Sequence, residues 1–271
     1  MGNTIRRIIL LVLGFIWLMP IYLMLANASK SNAEYGVVNV WQPGGLGGLL
    51  GNIAEAWTKG RISDGIWSTA LYAIVSPIIA LLIGAMAGYA IIALRLRRGF
   101  LWFVLIFCST VFPLQMVLMP LFIGYVETSL FDTHLGLVII YTVISVPFSA
   151  FVMRNFFSGV AYNLFEAAAL DGASAWHTFS RIYLPMSTSA LFAIFILQAT
   201  FVWNDLLLGL TLSQSETVRP VMPALAALQS TYGGSTMPVV LAGGLIVSLP
   251  TVLLFLLTQR YFARGLSLGQ Y

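Results

Sequence analysis

Long stretches without a single charged residue limit the folds that this sequence can adopt. Five stretches contain no Asp, Glu, Lys or Arg, and a sixth contains only Asp205. A hydrocarbon core about 30 Å thick needs about 20 apolar helical residues, whereas a membrane strand would be about 10 residues of alternating polarity. The stretches have the length of helices and show no such alternation. We therefore predict six transmembrane helices, over residues 8–25, 66–94, 101–123, 135–153, 190–212 and 237–258.

The composition excludes a water-soluble protein. Only 8% of the 271 residues are charged and 59% are hydrophobic, whereas a soluble domain carries about 25% charged residues. A soluble enzyme, a nucleic-acid binder and a disordered chain are excluded on this ground. The single cysteine, Cys108, cannot form an internal disulfide or a cysteine metal cluster. We expect an all-α fold, with one polytopic transmembrane domain over residues 1–271.

The first apolar stretch has two interpretations. Arg6 and Arg7 precede it and Ala26-Asn27-Ala28 follows it, which is the arrangement of a cleavable signal peptide. The apolar region of a signal is only about 7–15 residues long, and this stretch is longer and contains Pro20. A retained helix is therefore the favoured interpretation.

The distribution of basic residues predicts the orientation, because cytoplasmic connections carry an excess of Lys and Arg. If the N-terminus is cytoplasmic, the outer segments hold Lys30, Lys59, Arg61 and Arg219. The inner segments then hold Arg6, Arg7, Arg95, Arg97, Arg98, Arg154, Arg181, Arg260 and Arg264. With six spans, both termini lie in the cytoplasm.

Two features inside the spans each leave two interpretations open. Ala80, Gly84 and Gly88 place small residues at a spacing of four, which permits close helix packing. The partner could be another helix of this chain or a second membrane subunit. Asp205, beside Trp203 and Asn204, is an intramembrane acid. It could line or gate a solute path, or form a structural hydrogen bond between helices.

The sequence lacks the motifs of common catalytic and cofactor sites. It contains no H-E-x-x-H, no G-x-S-x-G and no phosphate-binding G-x-x-x-x-G-K-[ST]. The glycine cluster of residues 44–51 also lacks the dinucleotide pattern, and a pliable surface loop is expected there. We therefore predict no catalytic residue, no metal site and no cofactor.

The inner connection of residues 154–189 is too long and too periodic to be a simple turn. Asn163 and Glu166 form a helix-start pattern, with Asn163 as the cap, and the alanines that follow favour a helix with a low-profile face. Asp171-Gly172 should end that helix. A second helix should begin near Ser174 and end near Pro185. The expected product is two short helices on the cytoplasmic surface.

This connection resembles a known family. Its residues reproduce the signature E-A-A-x3-G-x9-I-x-L-P at Glu166, Ala167, Ala168, Gly172, Ile182, Leu184 and Pro185. The signature is that of the permease subunits of binding-protein-dependent ATP-binding cassette importers. Further stretches resemble the second permease of carbohydrate-type, maltose-like systems: residues 131–137, 146–148, 153–157, 203–207 and 259–266. The Ser267–Tyr271 tail departs from that pattern, which puts any contact of the tail with the ATPases in doubt.

The resemblance implies a type I importer permease in the cytoplasmic membrane of a prokaryote. Its implied partners are a second permease, two ATPase subunits that hydrolyse ATP, and an extracytoplasmic solute-binding protein that delivers a carbohydrate. Residues 166–185 would be the coupling segment that the ATPases move, with Glu166 orienting the segment and Gly172 supplying its bend. Trp203, Asn204 and Asp205 are candidates for the translocation path.

Two alternatives remain. The same machine could carry a non-sugar solute, such as an amino acid, a phosphate ester or a metal chelate. The second alternative is a standalone secondary transporter or an intramembrane enzyme, which is less compatible with the signature.

Overall fold

The computed structural model describes residues 2–111, 113–160, 162–229 and 234–267, with the backbone alone for residues 2–3 and 260–267. Within these ranges the chain is helical and contains no strand. The helices are α1 (Gly2–Ala28), α2 (Leu46–Lys59), α3 (Ile62–Ile92), α4 (Gly99–Cys108), α5 (Leu114–Glu127), α6 (His134–Ser158), α7 (Asn163–Leu170), α8 (Ala175–Met186), α9 (Thr188–Trp203), α10 (Leu207–Leu212), α11 (Val221–Leu228) and α12 (Met237–Ser267). The tail after Ser267 lies outside the described residues.

Four helices of the described chain are long and apolar enough to cross a membrane: Thr4–Ala28, Ile62–Ile92, His134–Ser158 and Met237–Gln259. Helices α8 and α9 together pass the same test, and they meet at a bend of 74°. The number of candidate spans is therefore four or five by length and composition. The expected count of six, and the orientation of the termini, stay predictions.

The predicted third span is not one continuous helix, which corrects the sequence-based expectation. The chain forms α4 and α5 instead, and the break between them includes Pro113. Proline lacks an N–H group and disfavours helical geometry in the residue before it, so helices usually end at or before that residue. Pro77, Pro120, Pro147 and Pro250 lie inside helices that continue, as membrane proteins allow.

The predicted fifth span is also interrupted. Helix α9 ends at Trp203, and α10 begins at Leu207. Asn204, Asp205 and Leu206 lie in the interruption. The acid that the sequence placed within a span therefore lies between two helices, where backbone N–H groups are available to it.

The described contacts divide the chain into two compact units, Met1–Ile66 with Val221–Pro250, and Trp67–Pro220 with Thr251–Tyr271. The expectation of a single domain over residues 1–271 stays a prediction. In the first unit, α1 has an exposed apolar surface along its length, and the connection after it packs on its C-terminal end. Lys30 is buried there, and its Nζ donates to Asn27 Oδ1 at 2.9 Å and to the Asn39 carbonyl at 3.0 Å.

In the second unit, α3 and α6 pack closely at the small residues that the sequence pattern indicated. A Cβ atom on Gly84 would lie 2.6 Å from Ser149 Cβ, and a Cβ atom on Gly88 would lie 2.7 Å from the backbone nitrogen of Arg154. Side chains at these positions would force the helices apart. The small-residue pattern therefore serves packing within this chain, which confirms the first of its two interpretations.

Candidate functional site

Helix α7 ends as the sequence predicts, at Asp171-Gly172. The Gly172 N–H donates to the Ala169 carbonyl at 3.1 Å, and the Ala173 N–H donates to the Ala168 carbonyl at 2.9 Å. This pair of bonds is the Schellman motif, which requires a left-handed residue after the helix. Gly172 supplies it with a φ of +78°. The bend between α7 and α8 is therefore built on glycine's freedom to adopt positive φ.

The start of α7 differs from the expectation. The residue before the helix is Tyr162, and no side-chain cap is present, whereas Asn163 was expected to be the cap. Tyr162 is held by aromatic contacts: the Arg95 guanidinium lies 3.7 Å from the centre of its ring, and the ring stacks on Phe165. The cap preference of Asn163 is a local one, and contacts from a distant part of the chain place the helix start elsewhere.

Helix α8 begins at the predicted cap, where Ser174 Oγ accepts from the His177 N–H at 3.2 Å. Its middle, Phe179–Tyr183, is π-helical, and the helix continues to Met186, one residue beyond Pro185. Such π-turns are wider than an α-turn. Phe179 and Tyr183, four residues apart, are both buried and both face the same ring, that of Tyr89.

An aromatic cluster joins this connection to two long helices. We call it the aromatic anchor, and it consists of Tyr89, Phe157, Phe165, Phe179 and Tyr183. The ring centre of Tyr89, on α3, lies 5.2 Å from that of Phe179 and 5.0 Å from that of Tyr183. The Tyr89 hydroxyl also donates to the Ala175 carbonyl at 3.0 Å. Aromatic rings pack in preferred relative orientations. Because the rings of α8 pack against Tyr89 on α3 and Phe157 on α6, a displacement of α8 would also displace these two helices.

The signature residues divide between this anchor and the surface. Ala168 is buried, and Ile182 and Leu184 pack partly buried against the cluster. The other signature residues are exposed: Glu166, Ala167, Gly172 and Pro185.

Two large apolar side chains outside the signature are also exposed, Leu170 by 88% and Trp176 by 66%. They lie on either side of the Gly172 bend. Large exposed apolar side chains next to a bend are candidates for contact with another protein.

The three candidate path residues do not form one group. Trp203 is buried, while Asn204 is exposed at the end of α9 and its Nδ2 donates to the Thr200 carbonyl. Asp205 Oδ2 accepts from the Tyr141 hydroxyl at 2.8 Å and from the Gly209 N–H at 3.1 Å. These bonds tie α6 to the start of α10, which fits the structural interpretation of this acid. None of the three lies in the aromatic anchor, which holds residues 166–185.

A cavity of about 670 Å³ opens between the α4–α5 break, α6 and α9. Its lining is mostly apolar, with Ser109, Thr110 and Gln198 contributing polar groups. Phe201 lines it three residues before Asn204 on α9, so the two side chains share a face of the helix. The sequence pattern did not indicate this cavity, because its walls come from segments that are far apart in the chain.

Asp132, in the first of the stretches that resemble the carbohydrate-type branch, holds a loop in place. Its Oδ1 accepts from the Gln214 and Ser215 N–H groups at 2.8 and 2.9 Å, and its Oδ2 accepts from the Ser215 hydroxyl. Partial burial raises the pKa of Asp132, but the hydrogen bonds from Gln214 and Ser215 and the charge of Arg219 outweigh it. The pKa of Asp132 therefore lies below its ordinary value.

The sequence did not predict two parts of this arrangement: the contacts of Tyr89 with α8, and the contact of Arg95 with Tyr162. Both join residues far apart in the chain, so no local spacing marks them. The one available signal was Tyr89 itself, a hydroxyl-bearing ring among small residues of a predicted span.

Comparisons with known proteins extend these observations. The family described as binding-protein-dependent transport system inner membrane component matches residues 80–267. The osmoprotective compounds uptake permease protein GgtD of Synechocystis sp. is 29% identical over 97% of this chain and 90% of its own length. The diacetylchitobiose uptake system permease protein NgcG of Streptomyces coelicolor is 24% identical over 99% of this chain and 88% of its own length.

The fold has a solved counterpart. A crystal structure of a bacterial ABC transporter involved in the import of the acidic polysaccharide alginate contains a chain that superposes with a TM-score of 0.78, at 20% identity, over 96% of both chains. At that identity the likeness establishes the fold alone. The family match covers more than half of the sequence and includes the aromatic anchor and the whole connection of residues 154–189. The chain therefore belongs to the family of binding-protein-dependent transport system inner membrane components.

Proposed function

We propose that this chain is one of two different permease subunits of an ATP-driven importer that carries a sugar or oligosaccharide across the cytoplasmic membrane of a prokaryote. In this proposal the chain crosses the membrane six times, has both termini in the cytoplasm and performs no catalysis. A solute-binding protein delivers the cargo from outside, and two ATPase subunits dock from inside. The family to which the chain belongs supports the general assignment.

The observation that carries the mechanism is the division of the coupling segment into an anchored side and a free side. The aromatic anchor fastens it to α3 and α6, while Leu170 and Trp176 remain exposed. A docked ATPase would cover the free side, and its movement would reach the long helices through the anchored side. ATP can drive the change between inward- and outward-facing states only by favouring one of them.

In this proposal each signature residue has a mechanical role. Glu166, exposed on α7, orients the segment against the ATPase, and Gly172 fixes the angle between α7 and α8. Ala167 lets the ATPase surface approach the backbone closely. Ala168, Ile182 and Leu184 hold the segment on the bundle.

Asn204 is the path residue that the geometry favours. Its side chain is exposed, and it continues the α9 face on which Phe201 lines the cavity. Asp205 instead acts as a positioning residue through Tyr141. Trp203 supports the same turn from its buried side.

The carbohydrate assignment is supported by the names of similar proteins, one for diacetylchitobiose uptake and one for alginate import. GgtD, named for osmoprotective compounds, keeps a non-sugar cargo as the alternative. ATP hydrolysis by the assembled importer, measured with the purified receptor and candidate solutes, distinguishes the two. Stimulation by an oligosaccharide supports the proposal, and stimulation only by an amino acid or another non-sugar solute contradicts it.

The ATPase contact is tested by placing a charge on the free side. Leu170→Asp should abolish co-purification of the ATPase subunit without disturbing the chain, because Leu170 is 88% exposed. Val37→Asp is the matched control, since Val37 is an apolar side chain that is 84% exposed in the connection after α1. Equal ATPase recovery from both variants would contradict the proposal.

A further inference from the structure

The cavity between the α4–α5 break, α6 and α9 has a buried polar side chain on its wall, that of Gln198. Only 6% of Gln198 is exposed, and its Nε2 donates to the Ser145 carbonyl on α6 at 3.2 Å. A carbonyl can only accept, so this bond fixes which end of the side-chain amide faces α6. The backbone of a second helix therefore holds the amide in one orientation.

The oxygen of this amide has no partner in the described part of the chain. Gln198 Oε1 makes no hydrogen bond there, and it is not one of the polar atoms that the protein seals from solvent. Since Gln198 lines the cavity, its oxygen is open to a molecule that enters. The hydroxyl groups of Ser109 and Thr110 donate to the Ile106 and Phe107 carbonyls at 2.6 and 2.7 Å, so their oxygens also remain acceptors. The wall thus favours an occupant that donates hydrogen bonds.

The rest of the wall is apolar, and no described residue of the lining carries a charge. Phe148 and Phe201 line it with side chains that are 37% and 50% exposed. A charged group that left water for this cavity would find no opposite charge, which is unfavourable. An acyl chain or an apolar side chain would leave Gln198 Oε1 buried and unpaired, which is also unfavourable. An uncharged molecule with hydroxyl groups and apolar C–H faces avoids both costs.

We propose that this cavity binds an uncharged sugar unit of the cargo, and that Gln198 Oε1 accepts a hydrogen bond from one of its hydroxyl groups. Phe148 and Phe201 then pack against the C–H faces of the sugar ring. The volume of about 670 Å³ lies within the range of about 300–1,000 Å³ that is usual for ligand pockets. This assignment rests on the proposed import of a sugar. It adds a residue that contacts the cargo, and it excludes acidic sugars.

The test replaces Gln198 with an apolar residue of similar length, Gln198→Met, in the assembled transporter. The complex is reconstituted in proteoliposomes with the purified receptor. The probes are neutral trisaccharides (maltotriose, cellotriose and raffinose), the acidic trisaccharide trigalacturonate, and amino acids. In this variant the Ser145 carbonyl keeps its bond from the Ser149 hydroxyl at 2.9 Å, so no buried acceptor is left unpaired.

The matched control is Ser149→Ala, which removes the other side-chain bond to the same Ser145 carbonyl. Ser149 is buried and is not part of the cavity lining. Thermal unfolding midpoints in detergent check that both variants fold. We expect uptake of a neutral trisaccharide per ATP hydrolysed to fall about fivefold in Gln198→Met, because one hydrogen bond to the cargo is lost. The control should keep the uptake of the parent chain.

The outcomes separate this contact from the proposed function. Equal uptake by Gln198→Met and the parent would overturn the contact and leave sugar import standing. Uptake of trigalacturonate by the parent would overturn the exclusion of acidic sugars. Loss of the second permease from the Gln198→Met complex would show that a partner side chain fills the cavity, which would also overturn the contact. Uptake of amino acids alone would contradict the proposed function, and this contact with it.

Discussion

Removing a single hydroxyl group from the aromatic anchor should loosen α8 by a measurable amount. In Tyr89→Phe the ring and its four aromatic contacts remain, and the hydroxyl is lost with its 3.0 Å bond to the Ala175 carbonyl and its interaction with the Thr178 side chain, which is also on α8. That carbonyl still accepts from the Phe179 N–H, so no buried acceptor is left unpaired. The loss should therefore be about 1 kcal/mol, the net contribution of a typical hydrogen bond. A free energy of this size changes an opening equilibrium about fivefold.

Hydrogen exchange measures this opening directly, because amides of a locally opened helix exchange in proportion to the open population. The amides of α8 that are bonded within the helix should exchange about fivefold faster in Tyr89→Phe than in the parent chain. The matched control is Tyr125→Phe, which loses a hydroxyl bond of the same 3.0 Å length to the Gly136 carbonyl. The control should leave exchange in α8 unchanged. If Tyr89→Phe also leaves it unchanged, the hydroxyl does not fasten α8 and the mechanical link is wrong.

Three further predictions use variants with matched controls. Gly172→Val places a β-branched residue at φ +78°, which costs about 1–2 kcal/mol. In proteoliposomes this variant should still hydrolyse ATP, while uptake of the solute falls. The control is Gly159→Val, at φ −85° in the same connection, which should retain uptake. Gly84→Val should lower the thermal unfolding midpoint in detergent, because overpacking costs about 1–3 kcal/mol, whereas Gly124→Val, with no neighbour within 4 Å of a Cβ, should not. The pKa of Asp132 is lowered below 3.8, so its bonds stabilise the bound loop above about pH 4 and are lost as the pH falls through the lowered value. Asp132→Ala should therefore speed exchange of the two loop amides at neutral pH, after correction for intrinsic rates, and remove the acid-dependent step; an unchanged acid step would contradict the assignment to this carboxylate.

Local chemistry allowed the end of α7 and the start of α8, in the connection of residues 154–189, to be predicted closely. Ser174 acts through a side-chain cap and Gly172 through a positive φ, and both effects stay within one turn of the chain. They can therefore be predicted from the neighbouring residues in the sequence. Asn163 is not the cap, because Tyr162 before it already has helical backbone geometry; the ring of Tyr162 contacts Arg95, which is far away in the sequence. The aromatic anchor could not be predicted either, because its contacts also join residues far apart in the sequence.

Apolarity predicted where the chain enters a membrane but not how its helices are divided. Residues 101–123 are apolar throughout, and hydropathy alone cannot show that the helix breaks near Pro113 while Pro120 and Pro147 are accommodated. Whether a proline interrupts a helix depends on which neighbours satisfy the freed carbonyl groups. That information lies in the packing. For Asp205 the sequence left two roles open, because its partner Tyr141 lies on another helix.

The bend of 74° between α8 and α9 has a geometric consequence. Ser187 at the corner is buried, and its hydroxyl donates to the Leu184 carbonyl at 2.9 Å while its own carbonyl accepts from the Leu191 N–H. The two helices therefore form an L-shaped body with a hydrogen-bonded corner, and its arms are about 18 and 24 Å long at 1.5 Å per residue. If the corner keeps its angle, the two arms turn together. A rotation of about 10° around that corner would shift the Ala175 end by about 3 Å and the Asn204 end by about 4 Å over arms of those lengths. A small tilt imposed at the Ala175 end would thus reappear, slightly enlarged, at Asn204.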